Sequence, residues 1–597
     1  MKYYGLNYFV VFVTLLALIS VSISCDSNNK TNENDIVVSS NLPSDIPGGS
    51  QDANLREAAL FAWQEFIALN WPADEDVRDT PDNDELFGDP DFTGPLVWHT
   101  FRHKVEIYPG QGNPPGYVDD PDQDFGYDAL PPQYVYGTGI GDGTGLVPPC
   151  PGQTPVENPS FINLDEISQI GLDSMFAGIA PADVPNNSEP QLIRFLAKSN
   201  REQYVYVVDE NSLEPGGNPL FSHPSDCDTD PDNTYCEAVD NFEAVADSNG
   251  EITTFPGFVI EFPHGTIEIK SAWRELTGEE MNSGRFYTTT VRYYIENDDD
   301  EGTACYVEAE WGLVALHIEQ KTPTAPYFIY ATFEQADNLL LQDGTPVEDE
   351  NGNIINQPLS LSTFPALVYM DGNPPTLNIV GDEYCEDIGF RLYYQEESDE
   401  GALPSDGFIC QNYRDNSIPG TIINVNEEAH DAIAAYNAQN GIESSPWLYY
   451  KLINVQHRPF DITEINDEDP DSDKNPATFY LGNIVVETDN TLQTFSGRLY
   501  GGLDGDDTNL EGTKSNIPPN FNNFNGRTTY QNTLTFDGDT LKNTYNMGGC
   551  MGCHANAQLS GTDFSFILND GRNDEPEAPD VTLPGTSNSP YDNIRGH

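Results

Sequence analysis

Close to the C-terminal end of the chain stands the run Cys550-Met551-Gly552-Cys553-His554. Two thiols one helical turn apart can add to the two vinyl groups of a porphyrin, and a histidine directly after the second thiol can reach the iron from one side. Cys-x-x-Cys-His in an exported chain therefore reads as the attachment signature of a c-type haem, with His554 as proximal ligand. Gly548, Gly549 and Gly552 crowd the run, as expected where backbone lies close to a flat macrocycle. A redox dithiol or half of a zinc site is the competing reading. The adjacent histidine, and the lack of a second Cys/His pair at zinc-finger spacing, argue against both.

Export is expected from residues 1–24. Lys2 gives a small positive start, and residues 8–19 form an apolar stretch too short for a comfortable membrane span. Ser20, Ser22 and Ser24 precede Cys25, an arrangement similar to a bacterial lipoprotein signal in which Cys25 is lipidated, although Ser22 stands where leucine is usual. An ordinary cleaved signal is the alternative. Either way the chain is expected outside the cytoplasm, as a periplasmic or cell-surface lipoprotein of a Gram-negative bacterium, at the outer membrane. Nine cysteines less Cys25, Cys550 and Cys553 leave Cys150, Cys227, Cys236, Cys305, Cys385 and Cys410. An even remainder in an oxidising compartment reads as up to three disulfides, with Cys227–Cys236 as the natural local pair.

Charge excludes some functions. Lys and Arg total 25 against 98 Asp and Glu, a formal net charge of −73. Nucleic acid would find no basic patch, and an anionic membrane would be repelled. No Ser/His/Asp elbow, phosphate loop or dinucleotide fingerprint is present, which disfavours hydrolase and nucleotide chemistry.

The elements that must position the motif are mainly β. Strands are expected over 204–208, 257–262, 266–270, 286–296, 311–320, 327–333, 390–394, 479–487 and 492–500, all rich in Tyr, Val, Ile, Phe and Thr between turn residues. Helices are expected over about 52–70, where Leu55, Ala59, Ala62, Trp63 and Phe66 recur at helical spacing, and near 426–440. Residues 73–160 are Pro-, Gly- and Asp-rich with few periodic segments. Within them His99 and His103, four apart, would share a helix face and could hold a metal, but no third ligand lies nearby and core roles are expected. The fold class expected is mainly β with a few helices (α+β), a large β-rich body followed by a short helical haem-attachment segment. The organisation is then a signal over 1–24, a lipid-anchored flexible tether over 25–50, the body over 51–500, the attachment segment over 501–570 and an acidic disordered tail over 571–597.

One hairpin stands out. Residues 311–320 read as a central strand apolar on both faces, and a turn over 321–326 returns the chain so that His317 lies near Tyr330, with Leu313 and Glu334 on the same face. A histidine inside such a strand needs a partner. A hydrogen-bonded core residue is one outcome; an iron ligand or distal acid/base is the other. The acidic clusters 298–301, 467–473 and 504–507 could bind Ca2+ through carboxylates and backbone oxygens, though none has the EF-hand pattern.

Several stretches, 267–273 (IEIKSAW), 312–322 (GLVALHIEQKT), 330–338 (YATFEQADN), 485–497 (VVETDNTLQTFSG) and 550–558 (CMGCHANAQ), resemble a family of uncharacterised exported bacterial cytochrome c proteins. The resemblance covers much of 267–558. It implies a shared fold and one covalent haem on Cys550, Cys553 and His554. No reaction comes with it. Lys270, Trp273, His317, Lys321 and Glu334 fall within these stretches, and Lys270, His317 and Glu334 are the catalytic candidates.

The sixth iron ligand cannot follow the small-cytochrome plan of a downstream methionine, because none of the 43 residues after His554 (597 − 554) is methionine. Met547 and Met551 are too near the motif to reach the opposite haem face, which leaves Met175, Met281 and Met370. Among the upstream histidines (His99, His103, His223, His264, His317, His430 and His457), His317 is the first choice and His457 the second. Three functions follow: electron transfer through a six-coordinate haem to a redox partner protein, peroxide or small-substrate oxidation at an open iron, and a surface-binding lipoprotein with a structural haem.

Overall fold

The computed structural model describes residues 36–110, 112–137, 139–141, 143–166, 175–177, 193–209, 260–297, 303–338, 346–356, 368–370, 376–378, 392–394, 417–458, 483, 529–531, 535–536, 539–540, 544–546, 550–551, 554, 563–567 and 578–581. Its centre is an eight-stranded sheet of β1 (Arg102–His103), β2 (Ile162–Leu164), β3 (Arg194–Ser199), β4 (Ile267–Arg274), β5 (Thr288–Glu296), β6 (Ala304–Thr322), β7 (Ala325–Gln335) and β8 (Tyr450–Gln456). The order is β1-β3-β4-β6-β5-β2, with β7 on β6 and β8 on β7. Every pair is antiparallel except β2 with β5. A bridge between Glu166 and Phe195 joins the end of β2 back to β3, so the pairings β3-β4-β6-β5-β2 run in a ring and the sheet is nearly a barrel. The mainly β, α+β class is thus the observed one.

Strand β6 is long enough to serve two neighbours on one side. Its first half pairs with β5 and its second half with β7, while β4 runs along the other side. Because side chains alternate, register decides which residues share a face. On one face Ile269, Ile318, Ala331 and Val455 lie in line, with Leu316, Phe333 and Leu452 in the next row. This face is apolar and packs on two helices. Helix α1 (Leu55–Leu69) starts at a capping box formed by Asn54 and Glu57. It is apolar nearly all round and sits in the core, where Phe66 stacks on Phe333 (4.3 Å) and Trp63 meets it edge-on (5.2 Å). Helix α4 (Gly420–Asn440) buries Ile422, Val425, Asn426, Ala429, His430 and Ile433, a one-sided stripe, and ends at Gly441 in the left-handed region. Its Asn426 accepts a hydrogen bond from the Trp63 indole (2.8 Å) and donates to the Leu452 carbonyl (2.9 Å), joining both helices to β8.

The Pro/Gly/Asp-rich stretch is ordered by buried arginines. Arg78 donates to the carbonyls of Thr100 and Ala129 and pairs with Glu106 (2.9 Å). Arg102 donates to the carbonyls of Tyr127, Pro115 and Gly126. Guanidinium forks satisfy backbone that no ladder satisfies. His99 and His103 do not share a helix: a 3₁₀ turn, Val97–Thr100, ends between them. His99 is buried beside Trp98, Trp273 and Tyr287, and His103 caps the short helix α2 (Lys104–Ile107).

Several expectations are corrected. Residues 204–208 are not a strand but belong to helix α3 (Arg201–Val208), whose Gln203, Tyr204, Val207 and Val208 are buried on one side; tertiary contact overrides the β-propensity of Tyr and Val. Within 257–262, residues 260–262 lie outside any strand. The turn expected over 321–326 is only Pro323 and Thr324, since Thr322 pairs with Ala325. A register shift between Gln320 and Thr322, with Phe328 at φ 65°, then sets His317 opposite Thr332 and Glu319 opposite Tyr330. Strand β6 is also not apolar on both faces. Leu313 lies past a bulge and joins the apolar core with Trp273. Helix α4 begins six residues before the expected 426. The expected strand over 390–394 is the short Leu392–Tyr394, paired with Met175–Ala177. Strands 479–487 (Asn483 apart) and 492–500, and the three acidic clusters, lie outside the described residues.

The flexible tether does not extend to residue 50. Asp45 accepts hydrogen bonds from Thr322, Thr324 and the Thr324 N–H at the β6–β7 turn, and the Pro43 carbonyl accepts one from Gln320. Residues 578–581 of the expected disordered tail are likewise docked, through Asp580 N–H on the Asp165 carbonyl and Arg194 on the Asp580 carbonyl. Of the disulfides expected, Cys150–Cys305 is formed and ties a loop to the start of β6; Cys227 and Cys236 lie outside the described residues. So do Cys25 and the signal. Among the described residues no helix is long and apolar enough to cross a membrane.

Phe333, fully buried between Trp63 and Phe66, tests the apolar face. Phe333→Ala should lower the unfolding free energy by about 3–5 kcal/mol through lost burial and the cavity left behind. In urea the midpoint should fall with the slope unchanged.

Candidate functional site

The second face of the sheet is polar. Across five strands one row reads Ser199, Glu268, Glu319, Tyr330 and Gln456, and the next reads Ala197, Lys270, His317, Thr332 and Asn454. Such a face is buried only if something polar covers it. The cover is the C-terminal segment, and it touches Glu268, Glu319, Tyr330 and Gln456 of the first row. The Met551 N–H donates to Gln456 Oε1 (3.1 Å), while the Met551 side chain is fully buried. His554 Nε2 lies 3.3 Å from Glu319 Oε1, and its ring is 4.9 Å from that of Tyr330. Gln203 of α3 donates to Glu268 (2.7 Å) and to Ser565 (3.2 Å).

A buried ion pair locks this cover down. Lys321 Nζ donates to Asp563 Oδ2 at 2.6 Å, and the same oxygen accepts the Phe262 N–H (2.6 Å). One residue on, the Phe564 carbonyl lies 2.8 Å from His554 Nδ1. A carbonyl only accepts, so Nδ1 carries the proton and Nε2 bears the lone pair in the neutral ring. Burial pulls the imidazolium down to about 3, with Lys270 and His317 adding to the effect, although the Phe564 carbonyl opposes it. The outer hydrogen bond that fixes a metal-binding imidazole in its useful tautomer is therefore already in place.

The acids here titrate abnormally. Burial pushes Glu268 up to about 7 against the hydrogen bonds of Ser565 and Gln203, and Asp563 up to about 6 against the pull of Lys321. Burial, with the charges of Glu319, Cys550, Glu268 and Asp563 around it, raises the Tyr330 phenol well above its ordinary range. The Tyr330 hydroxyl is buried with no hydrogen-bond partner among the described residues. The Nε2 lone pair is met by the Glu319 carboxylate, so a c-type haem on this nitrogen would need the contacts of Met551 and His554 with the sheet to open. The half-buried Cys550 packs against the core beside them, and Cys553 lies outside the described residues. The Glu319 carboxylate, in front of Nε2, would have to give way to the group.

The candidates from sequence are only partly gathered. Lys270 and His317, directly opposite each other, stand one row from Glu319 on the same face, and His317 Nε2 is 3.2 Å from Thr332 Oγ1. Glu334 is on this face too, opposite Ala315 and Lys451, but four residues along β7 from Tyr330, about 13 Å away. His457 Nδ1 is held by the Ser50 carbonyl (2.8 Å). Glu268, Glu319 and Gln456 went unnoticed in the sequence. The period-two run His317, Glu319, Lys321 within an apolar strand was the available signal. Among the described residues no group of three or more His, Cys, Asp and Glu is arranged to hold a metal ion. Ahead of the motif, Thr529–Gln531 pairs with Thr544–Asn546 and encloses the pair Thr535–Phe536 and Asp539–Thr540, so strands as well as a helical turn make up the attachment segment.

Comparisons of the chain with protein-family models, curated proteins and solved structures find no match.

Asp563 gives this site a pH signature. Its folded value of about 6 lies above the unfolded 3.8, so its stabilising contribution is complete below about pH 3.8 and is lost as pH rises through about 6. The loss is on the order of 3 kcal/mol at 1.4 kcal/mol per unit. Between pH 4 and pH 7 the stability measured by urea unfolding should fall less in Asp563→Asn than in the natural protein, the remainder coming from groups such as Glu268; equal falls would contradict it.

Proposed function

We propose that the chain is an exported protein bearing one covalent haem c, joined through Cys550 and Cys553 with His554 as proximal ligand, and that it handles electrons through that haem. The observation that carries this reading is the hydrogen bond from His554 Nδ1 to the Phe564 carbonyl, which leaves Nε2 as the coordinating atom. Bound there, a haem would supply a one-electron redox centre and, with an open coordination position, oxidative chemistry. The body's part is to hold the imidazole and to bury it, with Glu319 against Nε2, Tyr330 beside the ring and Lys270 and His317 in the next row. The resemblance of 267–558 to exported cytochrome c proteins points the same way. The disulfide Cys150–Cys305 fits the oxidising compartment in which c-type haem is attached. We take the protein to be a lipoprotein anchored through Cys25, with Ca2+ at its acidic loops a secondary proposal.

A second reading, a haem enzyme acting on peroxide or a small substrate, is favoured by one observation. The group against Nε2 is the Glu319 carboxylate, not a methionine in an apolar pocket.

Optical and EPR spectra of the haem form, made in cells that attach haem c, decide between the two. A low-spin iron inert to cyanide and peroxide supports electron transfer, and a high-spin iron that binds both supports the enzyme. Cys550→Ser combined with Cys553→Ser should abolish covalent haem. A natural protein exported without haem would contradict both readings.

A further inference from the structure

We infer that the docked C-terminal segment is a closed form of the attachment motif, exclusive of a haem on His554, and that the Lys321–Asp563 ion pair is the latch that holds it closed. The inference rests on the haem reading above and deepens it, because it names the contacts that must part before the motif carries its group. Both ring nitrogens of His554 are engaged, Nδ1 with the Phe564 carbonyl at 2.8 Å and Nε2 with Glu319 Oε1 at 3.3 Å. A metal ion between an imidazole nitrogen and a carboxylate oxygen would hold them about 4 Å apart, with bonds of about 2 Å to each, and a macrocycle around that ion needs more room still. The motif also lies directly on the sheet. The Met551 N–H donates to Gln456 Oε1 (3.1 Å), the Met551 side chain is buried, and the His554 ring is 4.9 Å from that of Tyr330. The lining therefore does not fit a haem while the segment is docked.

The contacts divide into one that stays within the segment and others that cross to the body. The bond between His554 Nδ1 and the Phe564 carbonyl is internal, so lifting the segment leaves the imidazole in its tautomer. Met551 to Gln456, His554 to Glu319, Ser565 to Gln203, and Asp563 to Lys321 and the Phe262 N–H all cross. The Asp563 contacts are the shortest of these, 2.6 Å on each arm, and both charged partners are buried. Lifting the segment returns both charges to water. Removing the lysine alone leaves a carboxylate buried without its counter-charge for as long as the segment stays docked, which favours lifting.

The test is hydrogen exchange, resolved to single amides, on the full chain exported with and without a c-type haem attachment system. In the haem-free protein the Met551 and Phe262 amides should be protected. In the haem-bearing protein both should exchange faster by about tenfold or more, with the ladder amides of β4 and β6 unchanged. In the haem-free protein, Lys321→Met should speed Met551 exchange in the same way, again with the ladders unchanged. Should Lys321→Met fail to fold, the comparison of the two natural forms decides. Equal protection of Met551 and Phe262 in those two forms would overturn the inference while the covalent haem still stood. A folded Lys321→Met protein with Met551 exchange unchanged would overturn the latch. A protein that takes up no haem would overturn the haem reading and the exclusive pair of forms with it.

Discussion

The buried ion pair between Lys321 and Asp563 is the contact on which the site depends. Lys321 ends the polar run of the central strand, and Asp563 begins the described part of the segment that follows the motif. Their 2.6 Å contact is almost fully shielded from water, where a lone charge of either kind would be costly. Asp563 holds the Phe262 N–H as well, so one carboxylate ties together the loop before β4, the end of β6 and the C-terminal segment. The Phe564 carbonyl, next in the chain, then fixes His554. Two hydrogen-bonded contacts and one step along the chain link the strand to the His554 ring.

The sheet around this contact has two characters. One face is ordinary core, with Phe333 between Trp63 and Phe66 and two helices above it. The other carries Glu268, Glu319, Tyr330, Lys270 and His317, and it is buried at the expense of ordinary ionisation, as the raised values of Glu268 and Asp563 record. Groups held so far from their solution behaviour cluster where proteins bind or react. That asymmetry is the physical reason for reading the large β-rich body as more than a scaffold for the proposed haem. It positions one imidazole and chooses what that imidazole faces.

Much of the apolar side was legible in the sequence. Helix α1 announces itself by the spacing of Leu55, Ala59, Ala62 and Phe66, and β4 to β7 by their β-branched and aromatic runs. The Cys550–His554 motif was legible from chemistry alone. What was hidden depends on distant pairing. Glu268 and Gln456 are 188 residues apart (456 − 268) and share a row only through two intervening strands. An irregularity beside the turn, between Gln320 and Thr322, exchanged the partners of His317 and Glu319 along the hairpin. Helix α3 was missed because Tyr204 and Val205 to Val208 favour strands locally, whereas burial of Gln203, Tyr204, Val207 and Val208 on one side favours a helix. The ordered segment 36–50 looked like linker because its anchors, Asp45 and Pro43, are residues usual in loops.

The most direct test of the account is the intact mass of the exported protein, made alongside a c-type haem attachment system. One haem per chain, retained after denaturation and acid–acetone extraction, is the predicted result. A chain whose mass is that of the polypeptide alone, with Cys550 and Cys553 open to alkylation, would contradict it.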